Sequence, residues 1–261
     1  MRLLRGDGPF LRVGHRGAAA LAPENTLRSF EAALACGVDA IEFDVLDLVG
    51  GPLVLAHSND LAEVSHGAAA GRVRDRSLAA LRVLAPELPT LDEALDFMAG
   101  REVALHVDLK LTTRLGEVAD ALARPGLSER TVVSSFHRPS LAAFAARAPQ
   151  IPIGFTYPED RYGVSRRRAF QPVIRLGTLA LRRALVARVP AMVARAGASA
   201  LMLHHAVVSA AAVERAHEAG AAVWSWTVDD PAELARLDAA GVDAVISNDP
   251  GIFGSLATLG A

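Results

Sequence analysis

Ala40-Ile41-Glu42-Phe43-Asp44-Val45 and, further on, His106-Val107-Asp108-Leu109-Lys110 are the stretches on which the reading of this chain turns. Side chains two apart on a strand share a face, so Glu42 lies with Asp44, and Asp108 with His106 and Lys110. The intervening Ile41, Phe43, Val107 and Leu109 face the other way. A carboxylate left unpaired in so apolar a strand carries a large desolvation cost, so the charged faces must meet something positive.

Working outward, the same kind of short, partly β-branched run recurs at Phe10 to Gly14, Thr131 to Ser135, Ile151 to Thr156, Ala200 to His204, Ala222 to Thr227 and Ala244 to Ser247. With Ala40 to Val45 and Val103 to Asp108 these make eight strand candidates. Between them lie Ala/Leu/Arg stretches with helical spacing. Asn25 or Thr26 opens Leu27 to Ala35, which Gly37 closes, and Thr90 with Glu93 forms a capping box for Leu91 to Met98. Further helices are expected at Pro139 to Arg147, Ala210 to Ala219 and Pro231 to Ala240. Eight βα units in 261 residues predict an α/β fold, a single-domain (β/α)8 TIM barrel over 1–261, in preference to a doubly wound sheet. Chemistry in this fold gathers at the C-terminal ends of the strands.

The formal net charge of −2 argues against a protein whose main task is to neutralise nucleic-acid phosphates. No uninterrupted apolar run is long enough to span a bilayer. The lone Cys36 sits in an apolar periodic stretch and is expected to be a small core residue in a reducing compartment. No apolar leader follows the N-terminal charges, so a cytoplasmic location is expected. Of the 27 basic side chains only Lys110 is a lysine, which makes its position worth explaining.

The polar residues cluster where the barrel predicts. His15, Arg16, Glu42, Asp44, His57, Asp108 and Lys110 all fall at or just beyond strand ends. Glu42, Asp44 and Asp108 suit a hard divalent cation, Ca²⁺ or Mg²⁺; the competing reading is a buried ion-pair network with Arg16 and Lys110. His15 and His57, from different strand ends, suit proton acceptance and donation on opposite sides of a reacting centre. Arg16 suits bidentate grip of a phosphate and Lys110 a point charge upon it. Trp226, ending a strand, can cover a substrate group or fill the barrel interior. Of His204 and His205 at most one can face inward. His66, His137 and His217 read as structural.

In order and spacing these elements resemble the glycerophosphodiester phosphodiesterase family. The resemblance runs through His15-Arg16-Gly17, Pro23-Glu24-Asn25-Thr26, Glu42 and Asp44, His57, Pro89 to Glu93, Asp108 and Lys110, Ser134-Ser135-Phe136, Ala216 to Gly220, Trp224 to Val228 and Gly241 to Ala244. It implies metal-dependent hydrolysis of glycerophosphodiesters to glycerol 3-phosphate and an alcohol. On that pattern Glu42, Asp44 and Asp108 ligate the cation, His15 and His57 are general acid and base, and Arg16 and Lys110 hold phosphate. Two departures stand out. The family usually has glutamate at the position of Asp108, and an aspartate directly after the second histidine, where Ser58 stands; Asp60 is the nearest replacement. A lysophospholipase D or sphingomyelinase-D-like activity, and a non-catalytic barrel that binds a phosphorylated ligand, are the alternatives.

About thirty residues separate His57 from Pro89, too few for a large inserted domain, so the mouth is expected to be open there. Residues 157–198 form an unusually long βα connection. From 161 to 195 it carries nine arginines and no acidic residue, interleaved with apolar residues. That composition fits either extra surface helices or a cationic amphipathic lid making peripheral membrane contact and admitting a lysophospholipid.

Overall fold

The computed structural model describes residues 1–159 and 171–255. Its strands are β1 (Leu11–Gly14), β2 (Ala40–Asp47), β3 (Leu53–Leu55), β4 (Ala104–Leu109), β5 (Thr131–Ser135), β6 (Ile153–Tyr157), β7 (Ala200–His204), β8 (Ala222–Trp226) and β9 (Ala244–Ser247). Eight of them are parallel neighbours in a closed ring, β1 pairing with both β2 and β9. The exception is β3, which lies antiparallel against the end of β2. The predicted (β/α)8 barrel is therefore the observed fold, with strand limits shifted by a residue or two.

The ring of helices is α1 (Leu27–Ala35), α4 (Leu91–Ala99), α5 (Leu115–Leu122), α6 (Arg138–Arg147), α7 (Gln171–Ala196), α8 (Ala210–Glu218) and α9 (Pro231–Ala239), with the short α2 (Leu61–Val64) and α3 (Leu78–Leu84) beside β3. The expected capping box of α4 forms between Thr90 and Glu93, and α1 has one of its own between Thr26 and Ser29. Leu91, Ala94, Leu95 and Met98 make the inner stripe of α4, the 3.6-residue period seen in the sequence.

Inside the barrel, Val13, Ala40, Val132, Ala200, Met202, Ala222, Trp224, Ala244 and Ile246 form their own buried cluster. Alanines on four strands leave room for the Trp224 indole, and Gly154 leaves the space that Met202 fills. With the lower barrel packed this way, Glu42, Asp44 and Asp108 collect toward the upper rim.

One expectation changes here, and part of the long connection takes the first of its two readings, a helix packed on the barrel. Cys36 is the half-exposed C-cap of α1, not a core residue. In the long connection, Leu185, Val189, Val193 and Ala196 are a buried stripe of α7 against the barrel, with Arg183, Arg188 and Arg195 outward. This part is the ring helix that follows β6, so core packing accounts for its amphipathic pattern. The remainder of the candidate lid, 160–170, lies outside the described residues. Among the described residues no helix is long and apolar enough to cross a membrane.

Candidate active site

The turn after β1 delivers two of the site residues. Gly17 sits at φ +85° with its Cα so close to Ser29 that a Cβ would overlap it, and Arg16 is itself left-handed at φ +50°. This tight turn is stitched to β2: the Arg16 N–H donates to Glu42 Oε2 (2.8 Å) and the Gly17 N–H to the Glu42 carbonyl (3.1 Å). His15 is thereby aimed into the mouth, its Nε2 3.9 Å from Glu42 Oε2.

The His15 tautomer follows from its other nitrogen. Nδ1 lies 2.6 Å from Asn248 Oδ1. The Asn248 amide donates through Nδ2 to Asp229 Oδ2 (2.7 Å), and its backbone N–H donates to Asp229 Oδ1 (2.8 Å). Asp229 thus turns the amide oxygen toward His15, so Nδ1 carries the proton and Nε2 is bare. Burial, and next Arg16, lower the His15 pKa to about 3, which keeps the ring neutral.

His57 follows β3, and its Nδ1 lies 2.6 Å from Glu63 Oε1 on α2. The hydrogen bond from His57, reinforced by Ser58, draws the Glu63 pKa down to about 2. Asp60, the replacement suggested by sequence, instead caps α2 by accepting from the Ala62 N–H (2.9 Å).

The three candidate metal ligands are all buried at the rim. The register sets Asp44 beside Asp108, and Asp108 beside Ser134. Lys110 Nζ bridges the first two, 2.5 Å from Asp108 Oδ2 and 3.2 Å from Asp44 Oδ1. Asp44 also accepts from Asn25 Nδ2 (2.9 Å) and lies 3.2 Å from Arg16 Nε. Burial pushes the Asp44 carboxyl up, but Lys110 and Arg16 outweigh it and hold it well below the usual range. Burial, compounded by Asp44 and Asp108, pushes Glu42 well above its ordinary value. The shortened Asp108 is held by the Ser134 hydroxyl, which sits 2.8 Å from His106 Nε2.

Among the described residues no three acidic or imidazole groups close around a single point. Asp44 and Asp108 share Lys110, as the ion-pair reading anticipated, while Glu42 receives only a backbone N–H and the distant His15. Among the described residues the charges nevertheless do not balance: Glu24, Glu42, Asp44, Glu63 and Asp108 face only Arg16 and Lys110 as permanent cations. That surplus of oxygen donors fits a hard divalent ion in charge and in ligand chemistry.

The far side of the mouth is aromatic. Trp226 packs edge-on against Phe136 (5.9 Å between centroids) and His204 (5.1 Å), and its Nε1 donates to the Met202 carbonyl (2.9 Å). Lys110 Nζ lies 5.5 Å from the Phe136 centroid, joining this wall to the charged half. His205 turns away to Glu233 (3.2 Å). A cavity of about 140 Å³ opens beside His57, lined by Pro23, Glu24, Leu55, Glu63 and Leu88 among others. His137 caps α6, and His217 pairs with Asp243 (2.8 Å), both structural as read.

The model of the glycerophosphoryl diester phosphodiesterase family matches residues 15–252. The chain belongs to this family. A glycerophosphodiester phosphodiesterase of Caldanaerobacter subterraneus subsp. tengcongensis is 25% identical over 256 residues, 92% of this chain and 94% of its own. Among solved structures, a Silicibacter pomeroyi DSS-3 protein assigned as a glycerophosphoryl diester phosphodiesterase superposes with a TM-score of 0.80 at 26% identity, covering 99% of this chain and 97% of its own. An Oleispira antarctica phosphodiesterase, whose structure contains the product sn-glycerol-3-phosphate, gives a TM-score of 0.74 at 23% identity over 96% and 97% of the two chains. Family membership makes the chain a phosphoric diester hydrolase, a glycerophosphodiester phosphodiesterase.

Sequence reading found the residues on the barrel strands and their turns. It missed Asn248, which Asp229 holds against His15, and Glu63, which reaches His57 from α2. Asn248 falls just past the strand that ends at Ser247, and Glu63 carried no signal, because its meeting with His57 depends on where α2 packs.

Proposed function

We propose that this chain cleaves glycerophosphodiesters to glycerol 3-phosphate and an alcohol, using a divalent cation and His15 and His57 as the proton-transfer pair. The observation that carries the reading is the contrast between the two imidazoles. His15 is tied at Nδ1 to a neutral amide, which leaves Nε2 free to accept a proton from the attacking oxygen, whether that of water or of a glycerol hydroxyl whose cyclic phosphate water then opens. His57 is tied at Nδ1 to a carboxylate, whose negative charge lies where a proton-donating imidazole needs it, and this suits Nε2 to protonate the departing oxygen. Arg16 and Lys110, held at the rim by Glu24, Asp44 and Asp108, would meet the phosphate oxygens. Glu42, Asp44 and Asp108 would hold the cation, which when bound supplies Lewis-acid stabilisation of phosphoryl charge. Trp226 and Phe136 offer the ester substituent an apolar wall.

Release of glycerol 3-phosphate from glycerophosphocholine by the purified chain is the direct test, with lysophosphatidylcholine assayed alongside. His15→Ala and His57→Ala should each lose about 100-fold or more in kcat. Full activity in either variant would overturn the two-histidine reading. Preferential turnover of lysophosphatidylcholine would shift the substrate to lipids.

A further inference from the structure

His57 is only as good a proton donor as its orientation and tautomer allow, and the chain lacks the aspartate that its resemblance leads one to expect directly after it. Glu63 meets that need from a different element. Its two carboxylate oxygens are both in use: Oε1 lies 2.6 Å from His57 Nδ1, and Oε2 accepts from the Ser58 hydroxyl at 2.6 Å. The Ser58 Oγ in turn accepts the Asp60 N–H at 3.1 Å. A carboxylate gripped at both oxygens cannot rotate away from the imidazole.

The support beneath Glu63 is firm although α2 is a single turn. Leu61, two residues earlier, is fully buried with Leu46, Leu48, Val54 and Leu88. Its N–H donates to the Gly71 carbonyl (2.9 Å), and Asp60 caps the turn. The other nearby acids are committed elsewhere: Asp60 to the Ala62 N–H and Glu24 to Arg16 (2.6 Å). Arg16 Nη1 also lies 3.9 Å from Glu63 Oε1, linking the clamp to the turn that carries His15.

We infer that Glu63, clamped by Ser58, is the positioning residue for His57. This rests on the two-histidine reading above. Glu63 accepts the Nδ1 proton, fixes the tautomer that presents Nε2 to the mouth, and stabilises the imidazolium that donates to the leaving oxygen. The low Glu63 pKa is consistent with a carboxylate that stays ionised throughout.

A double-mutant cycle with the full chain and glycerophosphocholine tests it. Glu63→Gln, nearly isosteric, should lower kcat on the order of 10²-fold with KM within about threefold, the signature of lost proton-transfer capacity rather than lost binding. In a His57→Ala background the same change should cost less than about twofold, because its route of action is already gone. Ser58→Ala, which keeps the charge but frees Oε2, should cost about fivefold in kcat and likewise nothing beyond His57→Ala; it carries the test should Glu63→Gln lower the thermal midpoint. A Glu63→Gln kcat within threefold of wild type, or a loss that multiplies with that of His57→Ala, would overturn the assignment while leaving the two histidines in place. A fully active His57→Ala would remove the reading beneath it instead.

Discussion

Replacing Lys110 by methionine removes the only lysine of the chain and the one cation that Asp44 and Asp108 share. Its Nζ stands 2.5 Å from Asp108 and 3.2 Å from Asp44, with 17% of the side chain exposed. At an effective dielectric of about 20 each attraction is roughly 5 to 7 kcal/mol before desolvation is subtracted. Deleting one partner of a buried pair, which strands the other charge, typically costs about 3–5 kcal/mol net. For a domain of this size each kcal/mol moves the thermal midpoint by about 2–4 °C, so Lys110→Met should melt roughly 10 °C below wild type in the presence of chelator. Millimolar Ca²⁺ or Mg²⁺ should recover a large part of that loss, since a cation among Glu42, Asp44 and Asp108 replaces the missing ammonium. Thermal melts followed by circular dichroism, with chelator and then with each cation, read both effects. A midpoint within about 2 °C of wild type under chelation would refute the claim that Lys110 neutralises two buried carboxylates. An unchanged midpoint on cation addition would count against the metal site. Lys110→Arg should not be conservative, because a planar guanidinium cannot occupy so compact a position between the two carboxylates.

Two further outcomes follow from the site. Asn248→Ala frees His15 Nδ1 from its acceptor and leaves the tautomer unfixed, so kcat should fall on the order of 10²-fold while the fold is retained; activity within threefold of wild type would remove Asn248 from the mechanism. The buried His106 has its pKa lowered to about 4, chiefly by desolvation, against an ordinary 6.5. The unfolded chain therefore takes up this proton first as pH falls, so the stability His106 contributes is present above 6.5 and is lost on descent toward 4. Urea unfolding of His106→Gln should consequently show a pH dependence shallower than wild type by about 1.4 kcal/mol per pH unit in that window, and parallel curves would contradict the burial argument.

The candidate site divides by sequence distance. Glu42 with Asp44, and Asp108 with Lys110, were legible because a strand's period of two places them on one face whatever the rest of the chain does. His15 and Arg16 were legible because the glycines beside them mark a turn at a strand end. What Asp108 touches was not: Ser134 reaches it only because β4 and β5 are paired in the observed register. Nor could sequence separate metal ligation from ion pairing, since Lys110 shares a strand face with Asp108 under either reading. The arginine-rich connection stayed open between two readings for the same reason. A helix stripe that seats on a barrel and one that seats on a lipid surface have the same spacing, and only the buried Leu185, Val189 and Val193 tell them apart.

By itself, then, the sequence determined the barrel, the rim on which chemistry gathers and the identity of most polar residues there, because strand alternation, caps and turns are local properties. The tertiary structure alone decided which nitrogen of each histidine is held and by what. Asn248 reaches His15 across 233 residues of chain, and Glu63 reaches His57 only because Leu61 buries α2 against β2 and β3. The contrast between a neutral amide at one Nδ1 and a carboxylate at the other exists only where packing brings distant side chains within hydrogen-bond reach.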